Sequence, residues 1–198
     1  MKNSVFILCL LINLNGFSQI IATKNLEPVI LKKLIDDKVQ VLKALQFSDK
    51  NGQNYLTITL QEDHKDDAVS KIFLVQHRIE KAKDSYELIR QIIDYETKCE
   101  FDNDLQFIDK SLTISDLDKN KYAEITFMYK IGCRSDISPI GLKLMIIENG
   151  NKATIRGNTL PRGFDFEKEK VSDATFKKLP KIIQDQANKL WDKFALEF

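Results

Sequence analysis

Between residues 116 and 124 the chain reads Asp-Leu-Asp-Lys-Asn-Lys-Tyr-Ala-Glu, which places oxygen-bearing side chains at loop positions 1, 3, 5 and 9. These are Asp116, Asp118, Asn120 and Glu124, and Tyr122 adds a backbone carbonyl at position 7. Calcium takes six to eight hard oxygen ligands, and alternate residues of a tight loop can converge on one ion to supply them. Position 6 is Lys121 rather than glycine, so a sharp turn there needs a non-glycine residue in the left-handed region, at a cost of about 1 kcal/mol. Position 12 is Phe127 and offers no bidentate carboxylate. Two readings therefore stand side by side. One is a calcium loop; the other is a polar turn in which Asp and Asn bond their own backbone.

Other chemistry is sparse. His64 falls in a charged segment and His77 inside an alternating strand pattern, and neither has a histidine or cysteine partner at two or four residues' distance. Both read as surface or filler residues. No GxSxG, HExxH or glycine-rich phosphate loop occurs in the sequence. After Cys133, the run Arg134-Ser-Asp136-Ile-Ser-Pro could present a guanidinium fork to a carboxylate or sugar acid, with Arg156 as a further candidate. Arg134 could equally pair with Asp136 or hold loop carbonyls. Phe164 and Phe166 could form an aromatic shelf for a sugar ring or bury against a sheet edge.

The opening segment MKNSVFILCLLINLNGFS joins a basic start at Lys2 to about ten mostly apolar residues and ends on small residues at Gly16 and Ser18. This predicts a signal peptide over 1–18 and a single β-rich domain over 19–198. The apolar run is shorter than the roughly 20 residues that a membrane-spanning helix needs. The expected location is the periplasm, the cell surface or the extracellular space, with no transmembrane segment in the mature chain. Removing the leader leaves 180 residues with basic and acidic side chains balanced at 29 each. Such a balance gives no field to hold a polyanion, and nucleic acid is not an expected partner. Two cysteines survive, Cys99 and Cys133, and in an oxidising compartment an even pair is most simply a disulfide.

The remaining elements are those that must position these groups. Period-two alternation over 39–47 and 55–60 flanks an Asn51-Gly52 turn, and the same pattern recurs over 71–80 and 86–96. Strands follow at 111–114 and 123–131, then at 142–147 and 152–156 around Asn149-Gly150. Near the start, Pro28, Leu31, Leu34 and Ile35 suit a short amphipathic helix. At the other end, Ile183, Ala187, Leu190, Trp191 and Phe194 share one helical face, with Pro180 in the first turn. The predicted class is α+β, mainly β: an antiparallel meander of about seven or eight strands with a C-terminal helix packed on the sheet.

The block SLTISDLDKNKYAEITFMYKIGCRSDISPIGLKLMI, with Ile155-Arg156-Gly157 and the aromatic C-terminal helix, resembles a family of exported bacterial proteins catalogued under surface polysaccharide biosynthesis. The likeness spans about residues 85–195. It implies an accessory role in the production or export of surface polysaccharide, through binding of a glycan or an envelope protein, and it carries no catalytic residues with it. The acidic loop also resembles the DxDxDGxxD loops of integrin-type β-propeller repeats, and its first half resembles an EF-hand loop. Two alternatives remain open. One is a glycan-modifying hydrolase using paired carboxylates, and the other a structural envelope protein with a calcium-stiffened loop.

Overall fold

The computed structural model describes residues 19–36 and 38–197; the expected signal peptide lies outside the described residues. The first half of the chain runs β1 (Gln19–Ile20), β2 (Lys24–Asn25), α1 (Pro28–Leu34), β3 (Gln40–Asp49), β4 (Gly52–Lys65), β5 (Ala68–Ala82) and β6 (Ser85–Cys99). The second half runs β7 (Asp102–Asn103), β8 (Gln106–Asp116), β9 (Glu124–Ile131), β10 (Cys133–Arg134), β11 (Gly141–Glu148), β12 (Asn151–Asn158), β13 (Leu160–Pro161), β14 (Lys170–Ser172), α2 (Lys181–Phe194) and β15 (Leu196–Glu197). A 3-10 turn, Phe176–Lys178, precedes α2. No helix among the described residues is long and apolar enough to cross a membrane.

The expectation of a mainly antiparallel β fold with a C-terminal helix holds. The strand count and the single sheet need correction. Among the described residues, eight strands have eight or more residues, and seven short ones extend or tie them. They divide into a five-stranded sheet, β2-β3-β4-β5-β6, a six-stranded sheet, β1-β8-β9-β11-β12-β14, and two two-stranded pairs, β7-β10 and β13-β15. Side-chain burial explains the division. Phe47, Leu56, Ile58, Phe73 and Val75 of the first sheet face Ile125, Phe127, Tyr129, Met145 and Ile147 of the second in one core. The alternate residues Met128, Leu142, Leu144 and Ile146 point the other way, onto Ile183, Ala187, Leu190 and Trp191 of α2. Strands buried on both faces lose the apolar-polar alternation of a one-sided sheet. The domain thus has three layers, with the six-stranded sheet in the middle.

Turn chemistry sets the register. Asn149 and Gly150, with φ of 44° and 76°, form the primed turn that joins β11 to β12, matching the Asn-Gly expectation. At the first hairpin Asp49 pairs with Gly52, whose φ of 92° follows the two-residue turn Lys50-Asn51. The hairpin β4-β5 closes on Asp66-Asp67, both left-handed at φ 52° and 63°, so His64 belongs to a strand end rather than a loop. In β8 the register jumps between Ile108 and Thr113. The fully buried Ser111 fills that irregularity, donating to Ile108 O at 2.6 Å and accepting from Met128 N at 2.7 Å. The paired cysteines are joined as expected, with S–S 2.02 Å and Cα–Cα 5.6 Å, fastening the end of β6 to β10.

Candidate functional site

β8 ends at Asp116 and β9 begins at Glu124, so the register between these strands brings both ends of the acidic loop together. Ser115 is the cross-strand partner of Glu124, and its hydroxyl donates to Glu124 Oε2 at 3.0 Å. Leu117 N–H donates to the same carboxylate, 3.0 Å from Oε1 and 2.9 Å from Oε2. Within the loop, Asp118 Oδ1 accepts Asn120 N–H at 3.1 Å and Asn120 Oδ1 accepts Tyr122 N–H at 2.8 Å. Lys121 N–H reaches Asp116 Oδ2 at 3.2 Å. These turns place Lys121, at loop position 6, in the left-handed region at φ 72°, as expected for a sharp turn there, and Lys119, at position 4, joins it at φ 62°.

Asp116, Asp118 and Glu124 each bring a carboxylate oxygen within 4.8 Å of the others. A fourth carboxylate joins from β11. Glu148 is the cross-strand partner of Glu124 in the β9–β11 ladder, a position where like charges oppose each other directly. Sequence reasoning missed it, because the pairing of β9 with β11 is a tertiary fact; its place two residues before Gly150 was the only local hint. Asn120 Nδ2 donates to Asp118 Oδ2 at 3.1 Å and also to Glu148 Oε1, so this side chain bridges two carboxylates. The Tyr122 ring sits under Lys50 Nζ at 4.7 Å.

Electrostatically the cluster is uncompensated. Among the described residues, no Lys, Arg or His side chain forms an ion pair with any of the four carboxylates. Burial pushes Glu124 up to about 7, assisted by the charges of Asp118 and Glu148 and opposed by the Leu117 N–H and Ser115 bonds. Burial likewise raises Glu148, the Asn120 bond opposes it, and the charges of Asp118 and Asp116 add to it. One atom stands out. Asp116 is 9% exposed, and its Oδ1 is buried without a hydrogen-bond partner. A carboxylate oxygen in that state lacks the donor or cation that burial of charge demands. The donor set is all hard oxygen, which suits calcium in chemistry.

The five-stranded sheet holds the loop from the other side. Lys50 N–H donates to Lys121 O at 2.7 Å, Asp49 Oδ2 accepts Ala123 N–H at 3.0 Å, and Asn51 Nδ2 donates to Asn149 Oδ1 at 3.1 Å. Three turns thus meet at one end of the sandwich.

The candidate binding residues lie elsewhere. Arg134 lies beyond the far end of β9, and a strand of eight residues at about 3.3 Å each separates the two places by more than 20 Å. Arg134 Nε donates to Asp104 at 2.6 Å, Nη1 to Ser138 O at 2.6 Å, and Nη1 to Glu197 Oε2 at 3.0 Å. Glu197 also receives Lys130. The guanidinium is therefore committed to the protein, and its carboxylate partners are Asp104 and Glu197 rather than Asp136. Asp136 accepts Ser138 N–H at 2.8 Å. Both residues border an open cavity of about 470 Å³ with Lys71, Phe101, Asn103 and Ile137. Arg156 is outside that group: it is exposed on β12, opposite Lys143. Phe164 and Phe166 stack on each other at 5.7 Å, with Phe164 left exposed.

His77 is a filler, as its strand position implied. It is buried against Phe47 with ring centroids 5.9 Å apart, and Nε2 contacts Asn54 Oδ1 at 2.8 Å. Burial drives it down to about 4, with Asp49 opposing.

Compared with protein-family models, curated proteins and solved structures, the chain matches none.

Proposed function

We propose that this chain is an exported, non-enzymatic protein of the cell envelope whose loop between β8 and β9 takes up calcium. The observation that carries the reading is Asp116 Oδ1, a buried and unpartnered carboxylate oxygen in a group of four carboxylates that, among the described residues, no Lys, Arg or His side chain pairs. Asp116, Asp118 and Glu124 would hold the ion, with Glu148 in support and Asn120 bridging the rim. Calcium there would offset the repulsion between Glu124 and Glu148 and stiffen the end of the sandwich where three turns meet. The disulfide is consistent with export. A role in surface polysaccharide production, binding glycan or an envelope protein, rests on the resemblance of residues 85–195. The exposed aromatic residues Phe101 and Phe164 are surfaces on which a glycan could lie.

The hydrolase alternative has less support. Glu124 is fully buried and its oxygens face Leu117 N–H and the Ser115 hydroxyl, out of reach of a sugar.

Calorimetric titration tests the reading. Calcium is expected to bind one ion per chain, more tightly than magnesium, which demands a stricter octahedral shell. Asp116→Asn should weaken binding by about tenfold or more, the loss of one charged ligand. An affinity for calcium no better than about 10⁻³ M would overturn the reading. Glycan-array binding without turnover would support the accessory role, whereas release of reducing ends would return the hydrolase.

A further inference from the structure

The two main sheets have four outer edges, and three of them are strands of two or three residues: β1, β2 and β14. The fourth is β6, with fifteen residues. Proteins usually blunt such edges with short strands, bulges or covering elements, because a row of unpaired backbone groups is a template for another chain. β6 does carry irregularities. Its pairing with β5 shifts register between Val69 and Lys71 and again between His77 and Arg78. Between them the ladder is unbroken, from Lys71 paired with Glu96 to His77 paired with Arg90. The irregularities therefore bracket Arg90–Glu96 and do not interrupt it.

The side chains of this segment are apolar where solvent should favour polar ones. On the face turned away from the core, Ile93 is 55% exposed and Tyr95 63% exposed. Ile72, the partner of Tyr95 on β5, is 36% exposed. The segment is also self-complementary. Antiparallel pairing of two copies about a dyad at Ile93 sets Ile93 against itself, Tyr95 against Gln91, and Arg90 against Glu96 twice by symmetry. Arg90 and Glu96 take part in none of the ion pairs that the described residues form within the chain. Arg90 uses Nε on Gly150 O, leaving its terminal nitrogens for a partner.

We infer that β6 is a self-association edge, on which a second copy of this chain adds antiparallel through Arg90–Glu96 and joins the two five-stranded sheets into one of ten. A ladder this short buries little area, so the dimer is weak, roughly micromolar. Sedimentation velocity over a concentration series reads it directly. The unaltered chain should associate reversibly. Arg90→Glu and Glu96→Arg should each weaken association by about tenfold or more, because each sets like charges opposite one another twice. The double variant R90E/E96R should return to within about threefold of the unaltered chain, since the pairs are restored with signs exchanged. Hydrogen exchange on the unaltered chain gives a readout free of any folding defect in the variants: amides of residues 90–96 should gain protection as concentration rises. A chain that stays monomeric at about 1 mM overturns the inference. So does association that both single variants leave untouched, or exchange protection that rises elsewhere and not in this segment.

Discussion

His77 makes folding sensitive to acid in a way the structure sizes. Asn54 Nδ2 donates to Asp49 Oδ1 at 2.7 Å and to Gly52 O at 2.9 Å, so Asn54 Oδ1 can only accept from the imidazole. The ring must then carry its proton on Nε2 and leave Nδ1 bare, and Nδ1 is indeed buried with no partner. A second proton would sit on Nδ1 with nothing to receive it. Burial accordingly lowers the group from 6.5 to about 4, against a small opposing pull from Asp49. Between those values the unfolded chain binds more protons than the folded one. Stability from this residue is thus complete above pH 6.5 and is lost as the pH falls toward 4. A displacement of that size corresponds to about 3 kcal/mol. Urea unfolding followed by the single tryptophan, Trp191, at pH 7 and pH 4 measures it, with His77→Phe as the reference. At pH 7 the variant should be less stable by roughly 1–3 kcal/mol, because Asn54 Oδ1 loses its donor. At pH 4 that deficit should shrink by about 3 kcal/mol, since only the unaltered chain has lost the histidine's contribution. Carboxylates that titrate in the same range cancel in the comparison. Equal losses in both proteins, or an imidazole that titrates above pH 6 by NMR, would refute the reasoning.

Four further outcomes follow from named contacts. Cys133→Ala should cost roughly 3–4 kcal/mol in chemical denaturation, the chain-entropy value for a loop closed over a separation of 34 residues. Ser111→Ala leaves Met128 N–H buried without an acceptor and should cost roughly 1–3 kcal/mol by the same assay. Gly157→Ala should destabilise severely, with a lowered melting temperature, because a Cβ there would lie 1.9 Å from Glu169 O and 3.0 Å from the Trp191 ring. Glu197→Gln strips the buried partner of Lys130 and Arg134, and should cost roughly 3 kcal/mol with earlier loss of the C-terminal strand in hydrogen exchange.

What was legible in the sequence was local. Asn149-Gly150 announces its hairpin because only residues tolerant of positive φ suit that turn. The stripe Ile183, Ala187, Leu190, Trp191 announces α2 because its spacing admits one buried face. The cysteines were the only pair outside the expected leader. The split into two sheets was harder to see, although β9 and β11 carried its mark. Ile125, Phe127 and Tyr129 serve one core, while Met128 and Leu144 serve another, and a strand apolar at consecutive positions reads as buried on both faces. Asp66-Asp67 hid the β4-β5 turn, since aspartates are less telling there than Asn-Gly. At the candidate site the loop spacing revealed Asp116, Asp118 and Glu124. Glu148 and the Arg134–Glu197 pair depend on register and on a separation of 63 residues, which spacing does not encode.

The acidic loop makes the bonds of a polar turn and also gathers its carboxylates. Asx bonds within Asp118, Asn120 and Tyr122 are what a polar turn would make, and they occur. A turn alone would leave its acids in solvent. Here Glu124 is fully buried opposite Glu148, and Asp116 is nearly buried, although Lys119, three residues beyond Asp116, is exposed. Burying Asp116 and Glu124 beside the half-buried Asp118 and Glu148 disfavours their charged forms, which is why Glu124 and Glu148 are both pushed above the usual carboxylate range. The backbone donors account for Glu124 and for one oxygen each of Asp116 and Asp118. What they leave over is Asp116 Oδ1, unpartnered beside three further carboxylates, the feature on which the calcium proposal rests and which titration with calcium tests.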